Sequence, residues 1–582
     1  MSLITRFRPP PAPEPTSPED DATAGQGRDD RPRHRILAGT LTAAAGLLVF
    51  VALVVPDQLA RFKPGAFVPG AFLRIPIEGI FGAAVLIVLP TRARRVVAAL
   101  LGIGLGALTI LKFLNMGFLS VLGRRFDPVL DWPLLGDGYN ALTAMYGRPA
   151  ATGAAIGAVV LVLVVLTVLT LSVLRLARVA ARYPRPATRA VTALVAAWVA
   201  FALVGTQLFP GAPVASDTTV ALAKNAALKV PSSLRDQKEF AAALGTDAFR
   251  DTPANRLLTG LRGKDVIFGV VESYGRSALE DPQMGALVKP ALAADTQKLA
   301  AAGFSARSAF LTSSTYGGGS WLAHGSFQSG LWVDNPQRYR QLIKSDRLTL
   351  ASAFHRAGWQ TVGVEPGNTE DWGEEGDFYG YDQVYDSRNL GYRGPRFGWS
   401  SMPDQYTLAA FQRNLYGKAK HAPMMAEITL TSSHEPWAPL PKLVDWSAIG
   451  DGSVYRPIAA RGKKQSTVWK DPAKVRTEYA KSIVYSVDSL VSWAATYGDK
   501  NLVLVFFGDH QAASIVSGHD ASHDVPVTIV ARDPSVLDRI AGWGWQDGLQ
   551  PDPKAPVWGM DAFRDKFLGA FGGPVDPARS TH

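Results

Sequence analysis

Apolar positions along this chain follow two different patterns, and the change falls near residue 210. From Ile36 to Val55 no charge interrupts a run of about twenty residues, enough at 1.5 Å per residue to cross a hydrocarbon core of roughly 30 Å. Runs with few or no charges follow at Ala71 to Leu89, Val96 to Phe118, Ala151 to Leu174 and Ala190 to Phe209. These five predict a multi-pass α-helical membrane domain over 36–210. Residues 1–35, with PPPAPEPTSPED and little apolar content, predict a disordered tail. Residues 211–260 have helical spacing and predict a connecting segment.

From residue 261 to about 575 the pattern is different: short apolar runs alternate with amphipathic stretches. Val266 to Val271, Thr361 to Val364, Met424 to Leu430, Asn501 to Phe507 and Val525 to Val530 read as strands. Pro290 to Ala302, Leu348 to Ala357 and Glu478 to Tyr497 read as helices. Such alternation predicts an α/β domain with a mostly parallel sheet, helices on both faces and ligand sites at the carboxyl ends of the strands.

Charge adds a direction to this picture. The chain carries 60 Lys and Arg against 50 Asp and Glu, a net +10. The tail holds six of each sign, residues 36–210 hold 15 basic and five acidic, and the remainder holds 39 of each. The surplus therefore lies between apolar runs. Arg92, Arg94 and Arg95 follow the second run, and Arg175, Arg178, Arg182, Arg185 and Arg189 follow the fourth, with no acid in either loop. Cytoplasmic loops keep such residues, so the tail is expected inside and residues beyond 210 outside the cell membrane. A balanced external domain carries no net basic charge of the kind that accompanies nucleic-acid binding. There is no Cys, which excludes disulfides, thiolate metal sites and a Cys nucleophile.

The polar residues that end the apolar runs are the candidates for chemistry. Glu272 follows VIFGVV, Asp509 and His510 follow NLVLVFFG, His434 follows MMAEITL in TLTSSHEPW, and His523 precedes VPVTIV. Carboxylates and imidazoles gathered at one sheet edge suit a divalent cation bound through oxygen and nitrogen. The segment STYGGGSWLAHGSFQSG adds Thr315 and Ser320 around three consecutive Gly, where backbone bends sharply and approaches a ligand closely.

With these residues the external part resembles the alkaline phosphatase superfamily, in its sulfatase-like membrane branch of lipoteichoic acid synthases and phosphoethanolamine transferases. The resemblance covers roughly residues 36–570. It implies metal ligation by Glu272, Asp509, His510, the nucleophilic hydroxyl and His523, with Mn2+ or Zn2+ as the cofactor. Relatives carry Gly-Gly-Gly-Thr with Thr as nucleophile; here Ser320 follows Gly317, Gly318 and Gly319, and Thr315 is the runner-up. His434 is implied to contact the substrate phosphate or the leaving group. Trp372 corresponds to the Trp of a substrate-gripping Trp-Asn-Arg sequence, with Glu374 standing where that Arg would be.

The implied activity is transfer of a phospho-substituent, of phosphoglycerol or phosphoethanolamine type, from a membrane lipid through a covalent Ser or Thr intermediate to an envelope glycan, polymer or lipid. A sulfatase, phosphodiesterase or phosphatase would use the same site with water as acceptor. A non-catalytic membrane protein would lack the nucleophile or the ligands, and all are present by type.

Overall fold

The computed structural model describes residues 30–55, 73–209, 212–370, 372–418, 421–518 and 520–572. The tail expected over 1–35 lies outside the described residues up to position 29, and helix has already begun at Asp30. The described residues fall into two compact units, one drawn from segments 1–56, 68–110 and 160–222, the other from 111–159 and 223–582.

The first unit is helical. Its chain runs through α1 (Asp30–Val54), α2 (Ile77–Val88), α3 (Thr91–Val121), α4 (Trp132–Tyr146), α5 (Arg148–Arg182) and α6 (Pro184–Val204), with α4 and the ends of α3 and α5 counted in the other unit. Among the described residues four helices are long and apolar enough to cross a membrane: Ile36–Val54 within α1, then α3, α5 and α6. The protein is thus a membrane protein carrying a soluble α/β domain, with four such helices where five spans were expected. The second expected span, Ala71 to Leu89, is the 12-residue α2. At 1.5 Å per residue that covers roughly 18 Å, short of the hydrocarbon core. Proline sets both limits, with Pro76 at the N-cap and Pro90 just past the C-cap Leu89. Along α5, Val159, Leu161 and Leu163 are each about 60% exposed, the mark of a helix whose apolar surface is not satisfied by protein.

α7 (Thr218–Gly245) occupies most of the segment expected to connect the two parts. Beyond it, nine strands form one sheet: β1 (Asp265–Val271), β2 (Ser305–Thr312), β3 (Gln360–Glu365), β4 (Gln383–Asp386), β5 (Met424–Leu430), β6 (Leu502–Gly508), β7 (Asp524–Ala531), β8 (Gln546–Asp547) and β9 (Val557–Gly559). The order is β8-β2-β7-β6-β1-β5-β3-β4, with β9 on β2. The run β6-β1-β5-β3-β4 is parallel, so most of the sheet is parallel as expected, while β7 is antiparallel to both β6 and β2 and makes the sheet mixed. A parallel return needs a crossover of a dozen or more residues, usually a helix; between Gly508 and Asp524 the described helix is the four-residue Ser514–Ser517, and the chain turns back instead.

Alternate residues of the central strands feed two apolar layers. Ile267, Leu504, Phe506 and Ile428 pack toward α8 (Pro282–Ala301) and α10 (Pro472–Tyr497). Val266, Phe268, Val505 and Phe507 pack toward α9 (Ser320–Ser329) and α11 (Ala562–Phe571). Phe268 meets Phe327, Phe354 and Phe567 edge-on at 5.7–6.1 Å. Burying such a ring contributes about 2–3 kcal/mol, and each ring pair roughly 0.5–1.5 more. α9 is thereby fixed against the sheet by Ala323 and Phe327, and its first residue is held at the sheet's carboxyl edge.

Candidate active site

Register brings the first two acids together. Val271 at the end of β1 is level with Gly508 of β6 on one side and Leu430 of β5 on the other, so Glu272 and Asp509 leave the sheet as neighbours. Gly508 permits it: a Cβ there would lie 1.9 Å from the Tyr274 carbonyl oxygen. Ser273 turns the chain with φ 58°, a left-handed conformation uncommon for a residue with a Cβ. Its N–H and that of His510 both donate to Asp509 Oδ1 at 2.7 Å, and its hydroxyl donates to Glu272 Oε1 at 2.9 Å. Asp509 Oδ2 is buried with no hydrogen-bond partner among the described residues. His510 Nδ1 donates to the Gln511 carbonyl at 2.8 Å, which turns Nε2 toward Glu272 Oε1 at 3.2 Å and Asp509 Oδ2 at 3.6 Å.

The glycine-rich turn delivers the hydroxyl. Gly317, Gly318 and Gly319 all have positive φ, at 69°, 154° and 79°. At Gly317 a Cβ would also lie 1.8 Å from the Val121 carbonyl oxygen. Ser320 opens α9 directly after this turn. Its Oγ donates to Glu272 Oε2 at 3.0 Å and sits 3.2 Å from His510 Nε2. Thr315 is turned elsewhere, its hydroxyl donating to the Gly318 carbonyl at 2.5 Å. It closes the turn that Ser320 leaves.

Burial sets the electrostatics. Desolvation would raise Glu272, but the hydrogen bond and charge of His510, with His434 and the Ser273 hydroxyl, hold it well below the usual carboxylate range. Asp509 is pushed up to about 6 by burial and by the charge of Glu272. For His510 burial acts downward, yet Asp509 and Glu272 together raise it to about 9. Ligand atoms of Glu272, Asp509 and His510 lie within 4.8 Å of one another. An orphaned buried carboxylate oxygen beside a second carboxylate and an imidazole nitrogen is a donor set that fits a divalent cation.

The other expected residues make contacts of their own. His434 is half-buried and stacks on Trp399 at 4.1 Å, with Nδ1 2.6 Å from the Glu435 carbonyl. His523 lies outside the three-ligand group; its ring packs on Tyr316 at 5.4 Å, and burial pushes it downward, with the charge of His510 acting the same way. Trp372 stacks on Tyr379 and Tyr381 at 5.7 and 6.0 Å. The side chain of Glu374 lies outside those described.

A second group escaped sequence reasoning. His324, Glu365 and Glu427 also bring ligand atoms within 4.8 Å of one another. Glu365 is raised to about 7 by burial, opposed by His324 and reinforced by Glu427, and His324 is raised to about 9 against its own burial, by Glu427 chiefly. The available signal was a Glu inside the apolar run MMAEITL, where a fully buried strand has no use for one.

Residues 264–526, a little under half of the chain, match the family described as Sulfatase. No curated protein matches the chain. The integral membrane lipooligosaccharide phosphoethanolamine transferase A from Neisseria meningitidis is similar in structure at 14% identity and a TM-score of 0.42, with 91% of this chain and 95% of that one covered. The lipoteichoic acid synthase LtaP from Listeria monocytogenes is 13% identical with a TM-score of 0.36, over 58% of this chain and 78% of that one. The Streptococcus pyogenes phosphoglycerol transferase GacH, solved with sn-glycerol-1-phosphate, is 12% identical with a TM-score of 0.35, over 60% and 83%.

Proposed function

We propose that this membrane protein, whose residues 264–526 form a sulfatase-family enzyme domain, moves a phospho-substituent of phosphoglycerol or phosphoethanolamine type from a membrane lipid to a hydroxyl of an envelope glycan, polymer or second lipid. The observation that carries this reading is the position of Ser320 Oγ, 3.0 Å from Glu272 and 3.2 Å from His510 at the first turn of α9.

Glu272, Asp509, His510 and Ser320 Oγ would hold a divalent cation, Mn2+ or Zn2+. Such an ion lowers the pKa of a bound hydroxyl and screens phosphoryl charge. The protein's own groups do the rest. Ser320 Oγ, its proton given up to solvent, attacks phosphorus, forming the Ser O–P bond while the P–O bond to the lipid alcohol breaks. His434, anchored through Nδ1 and by Trp399, supplies the proton that the departing alkoxide takes up, and later accepts the proton of the incoming hydroxyl. The positive end of the α9 dipole, at Ser320, favours the charge on the non-bridging oxygens. His523, whose ring packs on Tyr316, would be a further nitrogen ligand.

The membrane helices support a lipid donor, because an enzyme anchored in a bilayer meets its lipids at high effective concentration. The basic loops after α2 and α5 support a cytoplasmic N-terminus and an external catalytic domain. The test is to reconstitute the protein in vesicles of total membrane lipid with Mn2+ or Zn2+, offer an alcohol acceptor, and follow the phospho-substituent. Its appearance on the acceptor, abolished by chelator, is expected. Release only as the free phosphoester would make the enzyme a hydrolase, and full turnover with chelator would refute the site's chemistry.

A further inference from the structure

Ser320 and His324 lie four residues apart, on one face of α9. Ser320 reaches the cluster at the strand ends; His324, 7% exposed, reaches one below it, against the sheet itself. There Glu427 stands in the middle of β5, level with Phe268 of β1 and Gly363 of β3. Its Oε1 is 3.3 Å from His324 Nδ1, and its Oε2 accepts from the Tyr381 hydroxyl at 3.0 Å and from Gln328 Nε2. Glu365, at the end of β3, accepts from the Thr429 hydroxyl at 2.8 Å. Space has been made for this group: a Cβ on Gly363 would come within 3.1 Å of the Tyr381 ring.

The arrangement is costly as a purely structural one. Two carboxylates are placed under a helix in a layer otherwise filled by Phe268, Phe327, Phe354 and Met425. Among the described residues no Lys or Arg bonds to either, and His324 is the one basic partner of Glu427. His324 Nε2 is itself buried with no partner among the described residues, so half of the imidazole's bonding capacity is used at burial. An ion pair in such a place gives little net stability, whereas a doubly charged ion would neutralise both carboxylates and use the ring nitrogen.

We propose that His324, Glu365 and Glu427 form a second divalent-cation site, for a transition ion such as Zn2+ or Mn2+ that accepts one nitrogen and two carboxylate ligands. Gln328, Tyr381 and Thr429 are its outer partners, holding the carboxylates in place as second-layer hydrogen bonds do at metal sites. The inference stands on these residues and not on the transferase reading.

The test uses the full chain in detergent, stripped with chelator, saturated with Zn2+ alone, desalted and counted by elemental analysis. Wild type is expected to hold two equivalents, Glu427→Gln and Glu365→Gln one each, and Asp509→Asn one. An unchanged count in both Gln variants would overturn the proposal. So would a wild type that holds a single equivalent and loses it on Asp509→Asn, a result that leaves the first site intact and is independent of whether the Gln variants fold. Loss of the single equivalent on Glu427→Gln, with Asp509→Asn unaffected, would instead refute the first site and keep the second.

Discussion

The two clusters under α9 use the same materials and differ in where the strand stops. At the carboxyl edge, backbone groups are released from the ladder, so the N–H groups of Ser273 and His510 can both serve Asp509 Oδ1. The turn that follows is free to carry a hydroxyl to Glu272. Inside β5 every neighbouring N–H is spoken for by strand pairing, and Glu427 must be met by side chains from other elements: Gln328, Tyr381 and His324. The edge therefore offers a reactive group to a ligand, while the interior offers a charge held by packing. The same two acids and one imidazole become a candidate reaction centre in one place and a buried electrostatic site in the other.

The sharpest way to break this comparison is Asp509→Asn. It removes the orphaned oxygen while keeping the shape, and cation affinity at the edge site should fall at least about a hundredfold, with the folded state retained. Isothermal titration with Mn2+, beside circular dichroism, checks both parts. Glu427→Gln should behave in the opposite way. In chelator-treated protein it leaves His324 buried without its charge partner, at a cost of about 3 kcal/mol read from the denaturant midpoint. A smaller loss than for Asp509→Asn would reverse the assignment of roles.

Protons sharpen the picture further. His510 is raised to about 9 and so holds its Nε2 proton at neutral pH; a cation must displace it. Apparent affinity at the edge site should therefore rise about tenfold per pH unit between pH 6 and 8, with one proton released per ion. Below about pH 6 Asp509 also takes a proton, and affinity should fall more steeply. Titrations in buffers of different ionisation enthalpy count these protons. The smallest effect is expected from Thr315→Ala, which deletes the bond to Gly318 and should cost about 1 kcal/mol of stability with a modest loss of turnover. Turnover lost as completely as in Ser320→Ala would move the nucleophile to Thr315.

Much of the edge was legible in the chain because an all-apolar run that ends in Glu272, or in Gly508, Asp509 and His510, announces both a buried strand and the residue at its tip. Four things were not. α2 has the composition of a span, but prolines at both limits cut it to 12 residues, and hydropathy does not register that. β2 alternates Ser305, Arg307 and buried Ala306, Phe310, a weaker signal than the continuous runs beside it, and β7 turns back because the segment before it is too short in helix for a crossover. The interior cluster joins residues from α9, β3 and β5, and only the sheet order β5-β3 together with the seat of α9 brings them into one place.

The most direct test of the central claim is the intact mass of the protein after incubation with total membrane lipid and Mn2+, with the acceptor withheld. A covalent phospho-adduct is expected on the wild type, mapped to the peptide containing Ser320, and absent from Ser320→Ala. An adduct that persists on Ser320→Ala would contradict the assignment of Ser320 as the group that takes the phosphoryl.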